Sequence, residues 1–104
     1  MKYTHTQNLL TATGNETGSA FVNAGNTGAK SRGDASRHIV FVVVSAAATC
    51  TVEFSLDDTT YYTLHATVND TESYSISEAY PYLRATVSSY SSGTVTVDMA
   101  LYYE

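Results

Sequence analysis

The sequence is short of charge, cysteine, proline and tryptophan, and each shortage narrows the classes of protein to consider. Charged residues make up 14% of the 104 residues, against roughly 25% in an ordinary globular domain. The single cysteine, Cys50, excludes a disulfide within the chain. With five Lys and Arg residues and a net charge of −5, the chain lacks the positive excess that a general nucleic-acid-binding protein needs to neutralise phosphates.

Long apolar runs are missing too. The longest, from Ile39 to Val44, is far shorter than the roughly 20 residues of a membrane-spanning helix. The first residues lack the apolar stretch of a signal peptide. We therefore expect a soluble single domain, made in a cytoplasm, with neither a membrane nor a nucleic acid as its partner.

What the sequence does have is period-two alternation, which is strongest from Thr49 to Val68. Apolar and polar residues alternate up to Leu56, Asp57-Asp58-Thr59 interrupts them, and alternation resumes from Tyr61. Half-buried strands show this period, and short polar side chains favour turns. The pattern predicts an antiparallel hairpin. Its expected core-facing side chains are Cys50, Val52, Phe54, Leu56, Tyr62, Leu64, Ala66 and Val68.

Further short alternating segments predict an all-β domain. No segment shows a convincing helical repeat, and turn-forming residues recur every 8–12 residues, as in sandwiches and barrels. Residues 38–46 are apolar on both faces, which favours a central strand covered on both sides. We predict a single antiparallel β-sandwich of about seven or eight strands over residues 19–104, with residues 1–18 as an N-terminal arm or edge segment. Jelly-roll and immunoglobulin-like orders predict the same pattern.

The sequence contains no pattern that favours catalysis or metal binding. His5, His38 and His65 are far apart, and no G-x-S-x-G motif is present. Asp57 and Asp58 are expected to form a turn, because a Ca²⁺ site would need more oxygen ligands nearby. The expectation is a protein with no catalytic residue, no metal and no cofactor.

Two sets of residues are candidates for binding. Residues 24–36 are rich in glycine and predict a loop with Lys30 and Arg32, followed by Arg37. A basic loop on an acidic domain favours docking on an acidic partner surface, and the alternative is a solvated loop. Its Arg32-Gly33-Asp34 tripeptide occurs in integrin-binding proteins, but nothing else in the chain suggests that role. Outward-facing tyrosines suit interfaces or carbohydrate sites, or they cover edge strands; they are Tyr61, Tyr82, Tyr90 and Tyr102.

Two segments resemble small virion proteins of tailed bacteriophages. The shared pattern is a strand ending in Ser-x-Asp, a turn, an aromatic and a leucine, then a Pro-x-x-Arg strand, a Ser/Gly turn and a closing Val-x-Val strand. Here its residues are Ser55, Asp57, Tyr62 and Leu64, then Pro81, Arg84, Gly93, Val95 and Val97. The match covers residues 50 to 101, and the departure is Asp58, where the pattern often has glycine.

The resemblance implies a capsid decoration (cement) protein. Such a protein binds the outside of the shell, as a dimer or trimer, and bridges subunits of the major capsid protein. The expected shell contacts are Tyr3, Leu9 and Leu10 in the arm and Lys30, Arg32 and Arg37 in the basic loop, with the outward tyrosines between copies. The alternatives are a head–tail connector, a tail or fibre component, and a glycan-binding module that uses Tyr61, Tyr82 and Asp57.

Overall fold

A computed structural model describes residues 2–22, 38–44, 47–78 and 80–103, and in these ranges all regular structure is β. The strands follow the alternating segments of the sequence. They are β1 (Lys2–Ala12), β2 (Glu16–Thr17), β3 (Phe21–Val22), β4 (His38–Val44), β5 (Ala47–Ser55), β6 (Tyr61–Val68), β7 (Thr71–Ile76), β8 (Tyr82–Ser92) and β9 (Val95–Tyr103).

The strands form two antiparallel sheets, which confirms the predicted β-sandwich. Sheet A has the order β1-β9-β4-β7, and sheet B has the order β2-β8-β5-β6. Strand β3 pairs with β8 beside β2, so β2 and β3 together fill one edge position. Counted as eight strands, this is the jelly-roll order. The immunoglobulin-like alternative would keep several sequential pairs in one sheet, whereas among the strands of the described ranges only β5 and β6 form a hairpin.

The core lies between the inner faces of the two sheets. Its buried apolar side chains are Leu9, Leu10, Ala12, Ile39, Phe41, Val43, Ala48, Cys50, Val52, Leu83, Ala85, Val87, Val95, Val97, Met99 and Leu101. Strands β8 and β9 alternate cleanly, so every second residue from Leu83 to Val87 and from Val95 to Leu101 is buried. Period-two patterning therefore accounts for most of the core.

Two expectations are wrong, one about shell contacts and one about strand β4. Of the two alternatives for the N-terminal residues, an arm or an edge segment, residues 2–12 form the edge, because they pair along β9 as the outer strand of sheet A. Leu9 and Leu10 are only 6% and 5% exposed, so they are core residues and not shell contacts. Strand β4 is central but is covered on one side only, because a two-layer sandwich leaves each sheet an outer face; Val42 and Val44 on that face are 44% and 38% exposed.

The predicted hairpin is confirmed, but half of β6 faces the other way. Register shifts between β5 and β6 at Val52/Glu53, which leaves Leu64 as an extra residue opposite that step. A bulge of this kind reverses the face of every residue after it. Thr67 is consequently buried at 2% exposure and Val68 is 57% exposed, the opposite of the expectation from alternation.

The burial of Leu10 leads to a stability prediction. Replacing Leu10 with Ala should lower the free energy of unfolding by about 2–5 kcal/mol, because it removes buried methyl groups and leaves a cavity. The neighbouring Thr11 is exposed, so Thr11→Ala should stay within about 0.5 kcal/mol of the wild type. Urea unfolding measures both. Equal stability of the two variants would contradict the placement of β1 in the core.

Candidate functional site

The two ends of the sandwich differ in the length of their connections. Short connections of two or three residues join strand ends that lie at one end: β1 to β2, β4 to β5, β6 to β7 and β8 to β9. Longer connections join strand ends that lie at the other end, beside the first residues of β1 and the last of β9: β3 to β4, β5 to β6 and β7 to β8. Long connections on a rigid scaffold are common positions for binding residues.

Aromatic residues are concentrated at the end with the long connections. The chain has nine Tyr and three Phe. The register places eight of these twelve in the last two rows there, and Tyr80 joins them through its ring contact with Phe54. They are Phe21, Phe54, Tyr61, Tyr62, Tyr80, Tyr82 and Tyr102, with the backbone positions of Tyr3 and Tyr103. Phe54 is the centre of one group, because its ring stacks on Tyr80 at 4.1 Å and contacts Tyr62 at 5.5 Å between centroids.

Large apolar side chains are also exposed at this end. Leu56 is 68% exposed, Tyr62 is 53% exposed and Val22 is 44% exposed. Val22 pairs with Tyr82, and Ser55 pairs with both Tyr82 and Tyr61, so these residues lie close together. We call the surface formed by Val22, Leu56, Tyr61, Tyr62, Tyr82 and Arg84 the aromatic end. Exposed apolar groups beside aromatic and Arg side chains are typical of protein interfaces.

Ser55 and Asp57 build the turn that carries Leu56. The buried Ser55 Oγ accepts hydrogen bonds from the backbone N–H groups of Asp57 (3.2 Å) and Asp58 (2.9 Å) and donates to Asp57 Oδ1 (3.0 Å). Asp57 Oδ1 accepts from the N–H groups of Thr59 and Thr60. The bonds from Thr60 and Thr59, followed by that from Ser55, lower the pKa of Asp57. The turn is therefore a fixed platform rather than a loose loop.

A polar network fixes Tyr61 on the outer face of sheet B. Arg84 Nε donates to Glu53 Oε1 at 2.7 Å, and the guanidinium lies 3.8 Å from the Tyr61 ring centroid. This distance is within cation–π range. The Tyr61 hydroxyl donates to Asp58, and desolvation, together with that hydrogen bond, raises the pKa of Tyr61 to about 12. One face of Tyr61 is therefore covered by Arg84 and the ring is held in one orientation.

The structure brings together two of the predicted binding residues, Tyr61 and Tyr82, which are half-buried on either side of Ser55. Tyr90 lies at the opposite end, where it packs partly against the core and donates to Gly93 O at 2.6 Å. Tyr102 lies on the outer face of sheet A, with its ring 5.8 Å from that of His38. Tyr3 pairs with Tyr102 along the strand.

The basic segment lies outside the described residues, but its attachment points do not. Lys30, Arg32 and Arg37, and the Arg32-Gly33-Asp34 tripeptide, fall in residues 23–37, which connect β3 to β4 at the aromatic end. Lys2 and Arg84 lie toward the same end. All five Lys and Arg residues of the chain thus belong to this end or to the segment joined to it.

Sequence reasoning missed Val22, Leu56, Tyr62 and Arg84 as site residues. Alternation assigned Leu56 and Tyr62 to the core, yet both lie where the strands end and the opposite sheet no longer covers them. The nearby Asp57-Asp58-Thr59 turn marked that end of the hairpin in the sequence. Arg84 is the single basic residue on a strand that also carries Tyr82, and that proximity was the available clue.

A second polar cluster bridges the sheets at the edges of β6 and β7. Thr67 Oγ1 donates to Glu72 Oε1 at 2.6 Å, and His65 Nε2 lies 2.9 Å from the same oxygen without an aligned hydrogen bond. The Thr67 hydrogen bond first, then His65, lowers the pKa of Glu72. The His65 ring packs on Tyr74 at 4.4 Å. The cluster ties two edge strands together, and we assign it a structural role.

Within the described ranges, no group of three or more His, Cys, Asp or Glu side chains is placed to hold a metal ion. Burial raises the pKa of the Cys50 thiol to about 11, which leaves it unreactive as a nucleophile. No helix able to cross a membrane occurs in the part of the chain that the structure describes.

The backbone at Asp58 leads to a prediction about the turn. Its φ of 61° is left-handed, a conformation that glycine adopts more easily than any residue with a Cβ. Asp58→Ala and Asp58→Gly both remove the acceptor of the Tyr61 hydroxyl. The difference between their free energies of unfolding therefore reports the cost of the left-handed backbone alone. The Gly variant should be more stable by about 1 kcal/mol in urea unfolding. An Ala variant as stable as the Gly variant would exclude the left-handed turn.

Comparisons with protein-family models, with curated proteins and with solved structures found no match to this chain.

Proposed function

We propose that this chain is a virion structural protein of a tailed phage, which binds the outside of the capsid through the aromatic end. In this role it stabilises the shell by bridging subunits of the major capsid protein. The observation that carries the binding role is the concentration of aromatic and exposed apolar side chains at one end of the sandwich. The sequence resemblance supports the choice of a capsid protein as the partner.

The composition of the aromatic end supports a protein partner. Tyr and Arg are enriched at the energetic centres of protein interfaces, where they are buried by the partner. Tyr61 and Arg84 are already held in place by Asp58 and Glu53, so binding would order few further side chains. Low ordering cost favours affinity for a given contact area.

The jelly-roll order also supports this role, because the same architecture occurs in viral capsid proteins. Binding to the assembled shell, and not to dissociated subunits, stabilises the shell by mass action. This function requires binding and no chemical reaction, and the aromatic end presents side chains that suit binding. The proposed location is therefore the capsid surface of the virion, and the proposed partner is the major capsid protein.

A glycan-binding module of a tail or fibre is the second candidate. Tyr61 and Tyr82 lie on either side of Ser55, with Asp57 in the adjoining turn, as such a site would require. The observation against it is that Arg84 covers one face of Tyr61, which leaves less ring surface for a sugar. On a glycan array we expect the wild type to bind no saccharide. A saccharide that binds the wild type but not Tyr82→Ala would favour the second candidate.

Exposed residues at the two ends allow a matched test of capsid binding. The double variant Leu56→Ser, Tyr62→Ser should bind purified capsids at least about tenfold more weakly in co-sedimentation, because interface anchors typically contribute more than 1 kcal/mol each. Val68 is 57% exposed at the opposite end, so Val68→Ser should bind like the wild type. Thermal unfolding checks that both variants remain folded.

Equal binding by wild type and double variant would exclude the aromatic end as the shell contact. The number of copies per purified virion, from quantitative gels, addresses location separately. A copy number comparable with that of the major capsid protein is expected for a shell protein. A number comparable with that of the tail proteins would assign the chain to a connector, tail or fibre.

A further inference from the structure

The outer face of sheet A carries a stripe of apolar side chains that is separate from the aromatic end. Along β4, Val40, Val42 and Val44 point away from the core; Val40 is half-buried, and Val42 and Val44 are 44% and 38% exposed. Ala100 pairs with Val40 and extends the stripe onto β9. The residues that alternate with these valines along β4 face the core and are fully buried. The core is therefore complete without the valines of the outer face.

Hydroxyl and amide side chains border the stripe on both sides. The pairing register places Thr71, Ser73 and Ser75 of β7 beside Val44, Val42 and Val40, and all three are exposed. On the other side, beyond β9, lie Thr6, Asn8 and Thr11 of β1. Hydroxyl groups both donate and accept hydrogen bonds, so the row on one side can pair with the row on the other side across an interface.

Charge on this face is low for an acidic chain. Among the outward side chains described on its four strands, Asp98 is the one carboxylate, and it accepts a hydrogen bond from Asn8 Nδ2 at 2.8 Å. The chain as a whole has a net charge of −5. This face therefore carries one of the ten Asp and Glu residues of the chain, so two copies that approach through it bring little of the net charge together.

We propose that the outer face of sheet A is a self-association surface on which a second copy of this chain packs stripe to stripe about a two-fold axis. A two-fold interface must be complementary to itself. A stripe that lies on the axis meets that condition, because it faces the same stripe of the other copy, and the β7 side of each copy then faces the β1 side of the other. Asp98 of β9 pairs with Val42 and is the carboxylate beside the stripe. Sheets packed in this way lie about 10 Å apart.

The size of the face sets the expected strength of the dimer. Four strands spaced about 4.8 Å apart, of six to eleven residues at roughly 3.3 Å each, cover about 500 Å² per copy. Specific interfaces bury about 800 Å² per partner, with weaker complexes below that value. We therefore expect a reversible dimer whose population depends on protein concentration.

Sedimentation equilibrium of the purified chain over a range of concentrations tests the proposal. The wild type should show a monomer–dimer equilibrium, and Val42→Lys should be monomeric, because it places two like charges in the centre of the interface. Val42→Thr keeps the shape and should lose only part of the association. Leu56→Ser, which changes the aromatic end, should dimerise like the wild type, so this test is independent of capsid binding.

A second variant, which should strengthen the dimer, tests the proposal even if Val42→Lys does not fold. Asp98→Asn removes the carboxylate of the face and retains an acceptor for Asn8, so the dimer dissociation constant should fall several-fold. Glu16→Gln makes the same change in net charge on sheet B and should have less effect. A monomeric wild type at all concentrations, or equal effects of Asp98→Asn and Glu16→Gln, would overturn the proposal.

Discussion

The four central strands, β4, β5, β8 and β9, each have one strongly apolar face, and the opposite sheet is the place where that face is buried. The chain crosses between the sheets at nearly every connection, so neither sheet can form its half of the core without the other. Strands β8 and β9, on different sheets, supply seven of the buried apolar side chains between them. The core is therefore cooperative, and the surfaces left outside it are two outer faces, four edges and two ends.

Alternation in the sequence was sufficient to predict this core but not the exceptions to it. It located the hairpin, the β-sandwich class and the buried positions of β8 and β9, because these depend on local period alone. It failed after Leu64, where one extra residue reverses β6. The reversal is stabilised by partners from β7, since Thr67 donates to Glu72 and His65 packs on Tyr74. Contacts between residues of different sheets are not visible in a local period.

The sequence also predicts part of the candidate site and misses the rest. Alternation predicts that Tyr61 and Tyr82 face outward, and the polar residues Asp57 and Asp58 predict the turn that the structure contains. Alternation also predicts that Leu56 and Tyr62 lie in the core, because an apolar residue in phase with a strand is normally buried. At the end of a sandwich that inference fails, since the opposite sheet no longer covers the strand. Strand order was also undecidable, because jelly-roll and immunoglobulin-like chains share the same period.

A protein that bridges shell subunits needs more than one contact surface, and the two surfaces proposed here are compatible in geometry. The aromatic end lies at one extremity of the strands, whereas the valine stripe runs along them. If the two-fold axis is parallel to the strands, both aromatic ends of a dimer point the same way and can contact one shell. A dimer held by two such contacts binds with an avidity greater than either contact provides, by about 10²–10⁴-fold when the spacing fits. A weak face-to-face dimer is then sufficient, because attachment to the shell raises the local concentration of each copy.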